Sequence, residues 1–155
     1  MILPVETLQS ELVQSGLTPV IPMSSHYFCP SRQFLEQEYS LWLDTERPEE
    51  YADIDKFNCT SFSMWALVEL HKCLKKAMNI RGCSVASGLF LLNIGFGTTL
   101  NGISNDQMGE GGHATLLVRC NDGKWVIFEP QNCEITTLEK AQDDAAIGRV
   151  TLVLL

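Results

Sequence analysis

The 155-residue sequence lacks long apolar runs and has few basic residues. No apolar stretch approaches the roughly 18 residues that a membrane-spanning helix needs, so we predict no membrane partner. The N-terminus, MILPVETLQSELVQSG, has neither a basic n-region nor a long apolar h-region, and we expect a cytoplasmic protein. The formal net charge is −8, and the one basic cluster, Lys72, Lys75 and Lys76, lies beside Glu69. We therefore predict no nucleic-acid partner.

Common metal-binding spacings are also absent. None of the six cysteines forms a CxxC pair, and His26 with Cys29 is only half of a zinc site. A chain of this length does not need disulfides for stability. The acidic segment 44–55 has no EF-hand spacing, so we predict no cofactor and keep Asp53 and Asp55 only as weak calcium candidates. What remains is the chemistry of a single thiol.

The composition, 45% hydrophobic and 19% charged, is that of one globular domain over residues 1–155. Helical periodicity dominates the first half, at 5–15, after the capping residue Ser31, and most clearly in the segment that begins at Asn58 or Cys59. Strand-forming residues dominate the second half. We therefore expect an α+β fold, with N-terminal helices and a central helix packed on an antiparallel sheet.

The most regular stretch of the second half is GHATLLVRCNDGKWVIFEP, from Gly112 to Pro130. It predicts two strands, near 113–120 and 124–130, joined by a turn at Asn121-Asp122-Gly123. If the turn centres on Asp122, residues that face each other across the hairpin have numbers that add up to about 244. Glu129 then lies near His113 and can accept a hydrogen bond from its ring, with Gln131 and Asn132 as alternative partners.

Cys59 is the candidate nucleophile among the six cysteines because it opens the predicted central helix. A helix N-terminus and a nearby histidine both lower the pKa of a thiol and make it a better nucleophile. His113 follows a pair of glycines at the start of a strand, where its ring can face a cleft. The alternative interpretation is that Cys59 and His113 are ordinary structural residues.

A cysteine that opens a helix, a histidine that opens a later strand, and an acid on the next strand resemble the papain-like and transglutaminase-like cysteine enzymes. The resemblance covers residues 57–134 and is closest to the papain-like protease domain of certain fungal agglutinins. It implies a papain-like or transglutaminase-like core, with Cys59 as nucleophile, His113 as general base and then acid, and Glu129 as the residue that orients it. The Cys59 backbone N–H and one side-chain donor would hold the oxyanion.

One departure from that pattern concerns the oxyanion donor. Papain-like enzymes place a glutamine shortly before the cysteine, where this sequence has Asp53 and Asp55. Asn58 or a group from the 98–112 loop would have to replace it.

The resemblance implies a cysteine-dependent hydrolase or acyl transferase. It would act on a peptide, isopeptide or glutamine amide of a peptide or protein substrate, through a thioester. The alternatives are an inactive binding module on the same fold, which the missing glutamine favours, and a protein-glutamine deamidase. The sequence does not fix the oligomeric state.

Overall fold

The computed structural model of the chain describes residues 1–48, 59–80, 82–104 and 112–154. Helix α1 spans Val5–Gln14, and a short α2 (Arg32–Phe34) continues through a π-helical turn (Leu35–Tyr39) into α3 (Ser40–Glu46). The long helix α4 spans Cys59–Met78, and α5 spans Leu138–Asp143. The predicted helix cap is confirmed, because Ser31 Oγ accepts a hydrogen bond from the backbone N–H of Phe34.

The strands form three sheets. In chain order they are β1 (Ile2–Pro4), β2 (Val20–Ile21), β3 (His26–Phe28), β4 (Ser84–Val85), β5 (Ser87–Ile94), β6 (Thr99–Leu100), β7 (Ile103–Ser104), β8 (Gly112–Arg119), β9 (Trp125–Phe128), β10 (Ile135–Thr137) and β11 (Ile147–Leu154). The largest sheet has the order β10-β9-β8-β5-β11-β2. Strands β1, β3 and β4 form a second sheet, and β6 pairs with β7.

The β8–β9 hairpin forms with the predicted register, since Leu116 pairs with Phe128 and Leu117 with Ile127. Asp122 accepts a hydrogen bond from the Lys124 backbone N–H at 3.0 Å within the turn. Gly123 adopts a φ of 95°, a conformation that glycine reaches without strain. The turn therefore fixes which residues of the two strands face each other.

Both faces of the large sheet are covered. Leu117 and Ile127 pack in one core cluster with Leu8 and Leu12 of α1. Their neighbours along the strands pack in a second cluster with α3 and α4. Strand β8 is buried on both faces, because each of its residues after Gly112 is buried. Helix α4 lies on β8 and β5, which sets where its first residue, Cys59, stands.

The predicted architecture is wrong in two respects. Strands β1, β2 and β3 lie among the first thirty residues, so the chain does not run from helices to strands. The large sheet is also mixed, because β2 pairs with β11 in parallel. Val20 and Ile21 form a two-residue strand in a proline-rich segment, which is too short to give an alternating pattern. The organising element is the six-stranded sheet.

Candidate functional site

Cys59 is the first residue of α4 and is partly exposed. The side chain of Ser63, one helical turn later, donates a hydrogen bond to the Ala114 carbonyl at 2.8 Å, in a buried position. This bond holds the first turn of α4 against the start of β8. The sulfur of Cys59 lies 4.0 Å from the carbonyl oxygen of Gly112, the residue before His113. Helix and strand thus bring Cys59 to the residue that begins the hairpin.

His113 and Glu129 form a short buried contact across the hairpin. The ring Nε2 atom of His113 lies 2.6 Å from Oε2 of Glu129. The His113 residue is 8% exposed and Glu129 is 1% exposed. The second carboxylate oxygen of Glu129 accepts a hydrogen bond from the Gln131 backbone N–H at 3.2 Å. Because Nε2 is engaged by Glu129, Nδ1 is the ring nitrogen left for the thiol.

The three groups shift one another's protonation. The hydrogen bond with His113 lowers the pKa of the Cys59 thiol below its ordinary value, and burial opposes this shift. Burial acts to lower the pKa of His113, but hydrogen bonds to Cys59 and Glu129 and their negative charges together outweigh it and raise the pKa to about 9. Both shifts favour a thiolate beside an imidazolium.

Four other thiols show the opposite behaviour. Burial raises the pKa of Cys120 to about 12 and that of Cys73 to about 11. Burial also raises the pKa values of Cys29 and Cys133. These cysteines therefore remain neutral thiols at pH 7, as expected of small apolar side chains in a core. Among these five thiols, Cys59 alone has a pKa below its ordinary value.

The alternative orienting residues do not take the place of Glu129. The Asn132 side chain donates to the Asn101 carbonyl at 2.9 Å and accepts from the Glu134 backbone N–H at 3.0 Å. Gln131 contributes its backbone, which donates to Glu129 and accepts from Arg47. The acid that contacts the His113 ring is thus Glu129.

Three sequence-predicted residues lie outside the described part of the chain: Asn58, Asp53 and Asp55. The side-chain oxyanion donor and calcium binding both stay predictions for this reason. Within the ranges that the structure describes, no three His, Cys, Asp or Glu residues cluster in a way that could hold a metal ion.

Sequence reasoning missed three residues that support the site. Ser63 follows Cys59 by four positions, a helical spacing that places both on one face and could have identified it. Thr115 shares a strand face with His113, and its hydroxyl donates to the buried Phe128 carbonyl at 2.6 Å. No feature of the sequence identified Arg47 as part of the site, because it lies in an acidic segment that predicts a solvated loop.

Arg47 joins three parts of the site. Its Nη2 lies 3.4 Å from the Gln131 carbonyl oxygen and 3.5 Å from that of Pro130. Its guanidinium also stands 5.2 Å from the centre of the Phe62 ring, in the first turn of α4. Arg47 therefore links the end of α3 to the segment after Glu129 and to the helix that begins with Cys59.

Comparison with known proteins gives a likeness in fold only. No protein-family model and no curated protein matches the chain. Among solved structures, the PSL1a–E64 complex matches at 15% identity with a TM-score of 0.66, over 99% of this chain and 50% of that one. Polyporus squamosus lectin bound to the human-type influenza-binding epitope Neu5Acα2-6Galβ1-4GlcNAc matches at 17% identity with a TM-score of 0.66, over 99% of this chain and 49% of that one.

These matches correct the assignment made by resemblance. The structures that match are PSL1a and a Polyporus squamosus lectin, so the predicted papain-like or transglutaminase-like core is wrong. The predicted cysteine-dependent hydrolase or acyl transferase, with its protease class, is wrong for the same reason. The order of a cysteine, a histidine and an acid along a chain is a local pattern that different folds can carry, which is why it misidentified the family. The chain spans about half the length of the structures that it matches.

The predictions on partners are met in part. None of the described helices is long and apolar enough to cross a membrane. The lectin is bound to a glycan, whereas neither comparison supports the peptide or protein substrate predicted here.

Proposed function

We propose that Cys59, His113 and Glu129 form a nucleophilic thiol site. In it, the Cys59 thiolate adds to the carbon of a polarised double bond of a ligand, so that a C–S bond forms as the π bond breaks. The π electrons move to the other atom of the double bond, and the His113 imidazolium gives its proton to that atom. Glu129 keeps the ring in one orientation and stabilises its positive charge. The amide substrates expected from the resemblance are not part of this proposal.

The observation that supports this proposal best is the 2.6 Å contact of His113 with Glu129 beside the thiol whose pKa is lowered. A buried carboxylate and a buried imidazole are costly to desolvate, and groups with perturbed pKa values cluster at functional sites. The partial exposure of Cys59 leaves its sulfur open to a reagent, whereas Cys73 and Cys120 are buried.

Competitive alkylation tests the thiol site. We expect iodoacetamide at limiting amount, followed by mass mapping, to label Cys59 faster than Cys83 or Cys133 between pH 6 and 7, because those two thiols are also partly exposed. In the variant His113→Ala, Cys59 should no longer be labelled faster than the other two thiols. In the control variant His71→Ala, on the same helix as Cys59, the faster labelling of Cys59 should persist. Equal labelling of Cys59 and Cys133 in the unmodified protein would overturn the proposal.

A second candidate function is carbohydrate binding, favoured by the likeness to a lectin that was solved with a sialylated trisaccharide. It is closest to the binding-module alternative from the sequence. Titration with Neu5Acα2-6Galβ1-4GlcNAc and with Galβ1-4GlcNAc, followed by calorimetry, tests it directly. Since the chain carries a net charge of −8, binding of the anionic sugar should strengthen as salt screens the repulsion. No saturable binding of either sugar at millimolar concentration would exclude this candidate.

The cysteines also bear on the compartment in which the protein works. All six lie in the described residues and none forms a disulfide. We propose a reducing compartment, such as the cytoplasm, because free thiols persist there. The net charge of −8 supports the further proposal that nucleic acid is not a partner.

A further inference from the structure

Two adjoining cavities lie along the C-terminal half of α4, against β4. One has a volume of about 310 Å³, and its walls include His71, Lys75 and Val85. The other has a volume of about 250 Å³, and its walls include His71, Val85 and Ser87. His71 follows Cys59 by 12 residues (71 − 59) on the helix, which corresponds to about 18 Å along its axis. The cavities are therefore separate from the thiol site.

Ser87 brings an unsatisfied polar group to the smaller cavity. It is the first residue of β5, it pairs with Val118 of β8, and it is 2% exposed. Its Oγ has no hydrogen-bond partner among the residues that the structure describes. A buried hydroxyl of this kind is destabilising unless something bonds to it. Ser87 is a wall residue of the cavity, and its Oγ is buried, so a rotation of the side chain has to turn the hydroxyl toward the cavity before a bound molecule can supply that bond.

His71 provides a second polar group at the junction of the two cavities. Burial lowers the pKa of His71, so its imidazole is neutral at pH 7. A neutral imidazole offers one donor and one acceptor, and it does not select for a charged ligand. Together with a serine hydroxyl, it matches a hydroxyl or carbonyl group.

The remaining walls of the smaller cavity are largely apolar and include Met23, Leu67 and Val85. The backbone N–H of Met23 donates to Tyr27 Oη at 3.0 Å, which fixes the main chain at the edge of the cavity. The Met23 residue itself is 74% exposed. A methionine side chain adapts to ligands of different shape, so it can fold over a molecule that enters.

We propose that the smaller of these cavities forms a binding site for a small, uncharged molecule with an apolar body and one hydroxyl or carbonyl group. The polar group bonds to Ser87 and His71, and the apolar body lies against Met23, Leu67 and Val85. The smaller cavity, at about 250 Å³, suits a ligand that is smaller than a drug-sized molecule, and its walls are apolar with a few polar groups, as is typical of small-molecule sites.

Two matched probes test this site, p-cresol and toluene, which differ by the hydroxyl. With methyl-labelled protein, p-cresol should shift the NMR signals of Met23, Leu67 and Val85 in a saturable way. The variant Ser87→Ala should lower the affinity for p-cresol by about fivefold, which is the effect of one lost hydrogen bond. It should change the affinity for toluene by less than about twofold. Ser10→Ala, at an exposed serine on α1, is the matched control.

A second variant, Leu67→Trp, fills the cavity and should abolish binding of both probes. The alkylation rate of Cys59 should stay the same in every variant, which separates this site from the thiol site. The proposal is overturned if p-cresol gives no saturable shifts at the three methyl-bearing residues, or if Ser87→Ala affects the two probes equally.

Discussion

His113 and Glu129 are diagonal neighbours on adjacent strands, and Nε2 of His113 lies 2.6 Å from Oε2 of Glu129. Leu116 pairs with Phe128, so the continued register sets Thr115 opposite Glu129 and His113 two residues further along the same face. Diagonal positions on a sheet face are bridged by long side chains. A strand register set by the turn at Gly123 thus determines which acid holds the histidine.

Glu129→Gln is expected to reduce the reactivity of Cys59. The amide keeps the size of the side chain but removes the negative charge that raises the pKa of His113, so the imidazolium that stabilises the thiolate is lost at lower pH. With the imidazolium destabilised, the pKa of Cys59 rises, and each unit of that rise lowers the thiolate fraction and the labelling rate about tenfold at a pH below the pKa. Rates of iodoacetamide labelling between pH 5 and 9 measure it, and Glu134→Gln, in the same turn, is the control. Unchanged rates in Glu129→Gln would show that the carboxylate does not act on the thiol.

The contribution of His113 to the stability of the protein should fall as the pH rises from 6 to 9.5. The pKa of His113 is about 9 in the folded chain, above the ordinary value of 6.5. The folded state therefore binds a proton that the unfolded state has released between these values. The stabilisation that comes from His113 is complete below pH 6.5 and is lost as the pH passes about 9. Because the pKa of Cys59 is lowered on folding, the proton that Cys59 releases offsets part of this loss.

Urea unfolding of the unmodified protein and of His113→Gln over this range checks the prediction. The difference in unfolding free energy between the two proteins should shrink as the pH rises. A difference that is constant across the range would contradict a raised pKa for His113.

Glu11 is expected to contribute more to the free energy of unfolding than an exposed ion pair does. Its carboxylate accepts two hydrogen bonds from Arg119, at 2.8 and 3.0 Å, and one from the Trp125 indole at 2.8 Å, which fasten α1 to the β8–β9 hairpin. Glu11→Ala leaves the buried Arg119 guanidinium without its partner and should cost about 3 kcal/mol. Lys140→Ala, which breaks an exposed pair with Asp144, should cost less than about 1 kcal/mol in the same urea experiment. Equal losses would contradict this ranking.

We propose that residues 1–155 unfold as one domain. Strand β2 near the N-terminus pairs with β11 near the C-terminus, so the large sheet needs both ends of the chain. Trp125 lies in one core cluster, and Trp42 and Trp65 pack against the other. Variants that retain only Trp125 or only Trp65 should therefore give the same unfolding midpoint by fluorescence. Two separate midpoints would indicate two independently folding parts.

The sequence was informative where its signals are local. The helix from Cys59, the cap at Ser31 and the register of the β8–β9 hairpin follow from periodicity, capping chemistry and one turn, and each is present. The parallel pairing of β2 with β11 was not predictable, because it joins a two-residue strand to a partner more than a hundred positions away. The family was misassigned for a related reason: three residues in order do not determine a fold.

Only part of the site could be predicted from the sequence. Cys59, His113 and Glu129 lie on elements that the sequence predicts, and the structure brings them together. The role of Arg47 could not be predicted, because the residue lies in an acidic segment and its contacts with the Pro130 and Gln131 carbonyls arise from tertiary packing. Ser87 appears in the sequence as an ordinary strand residue, and its unpartnered hydroxyl is visible only in three dimensions.

The most direct test of the thiolate–imidazolium pair is nitrogen NMR of the histidine rings in the reduced protein at pH 7.5. We predict that His113 carries protons on both ring nitrogens, because its pKa is about 9, while His71 is neutral. In Cys59→Ser, the hydrogen bond to the thiolate is lost and the His113 pKa should fall. A neutral His113 ring at pH 7.5 in the unmodified protein would contradict the ion pair and the nucleophilic site built on it.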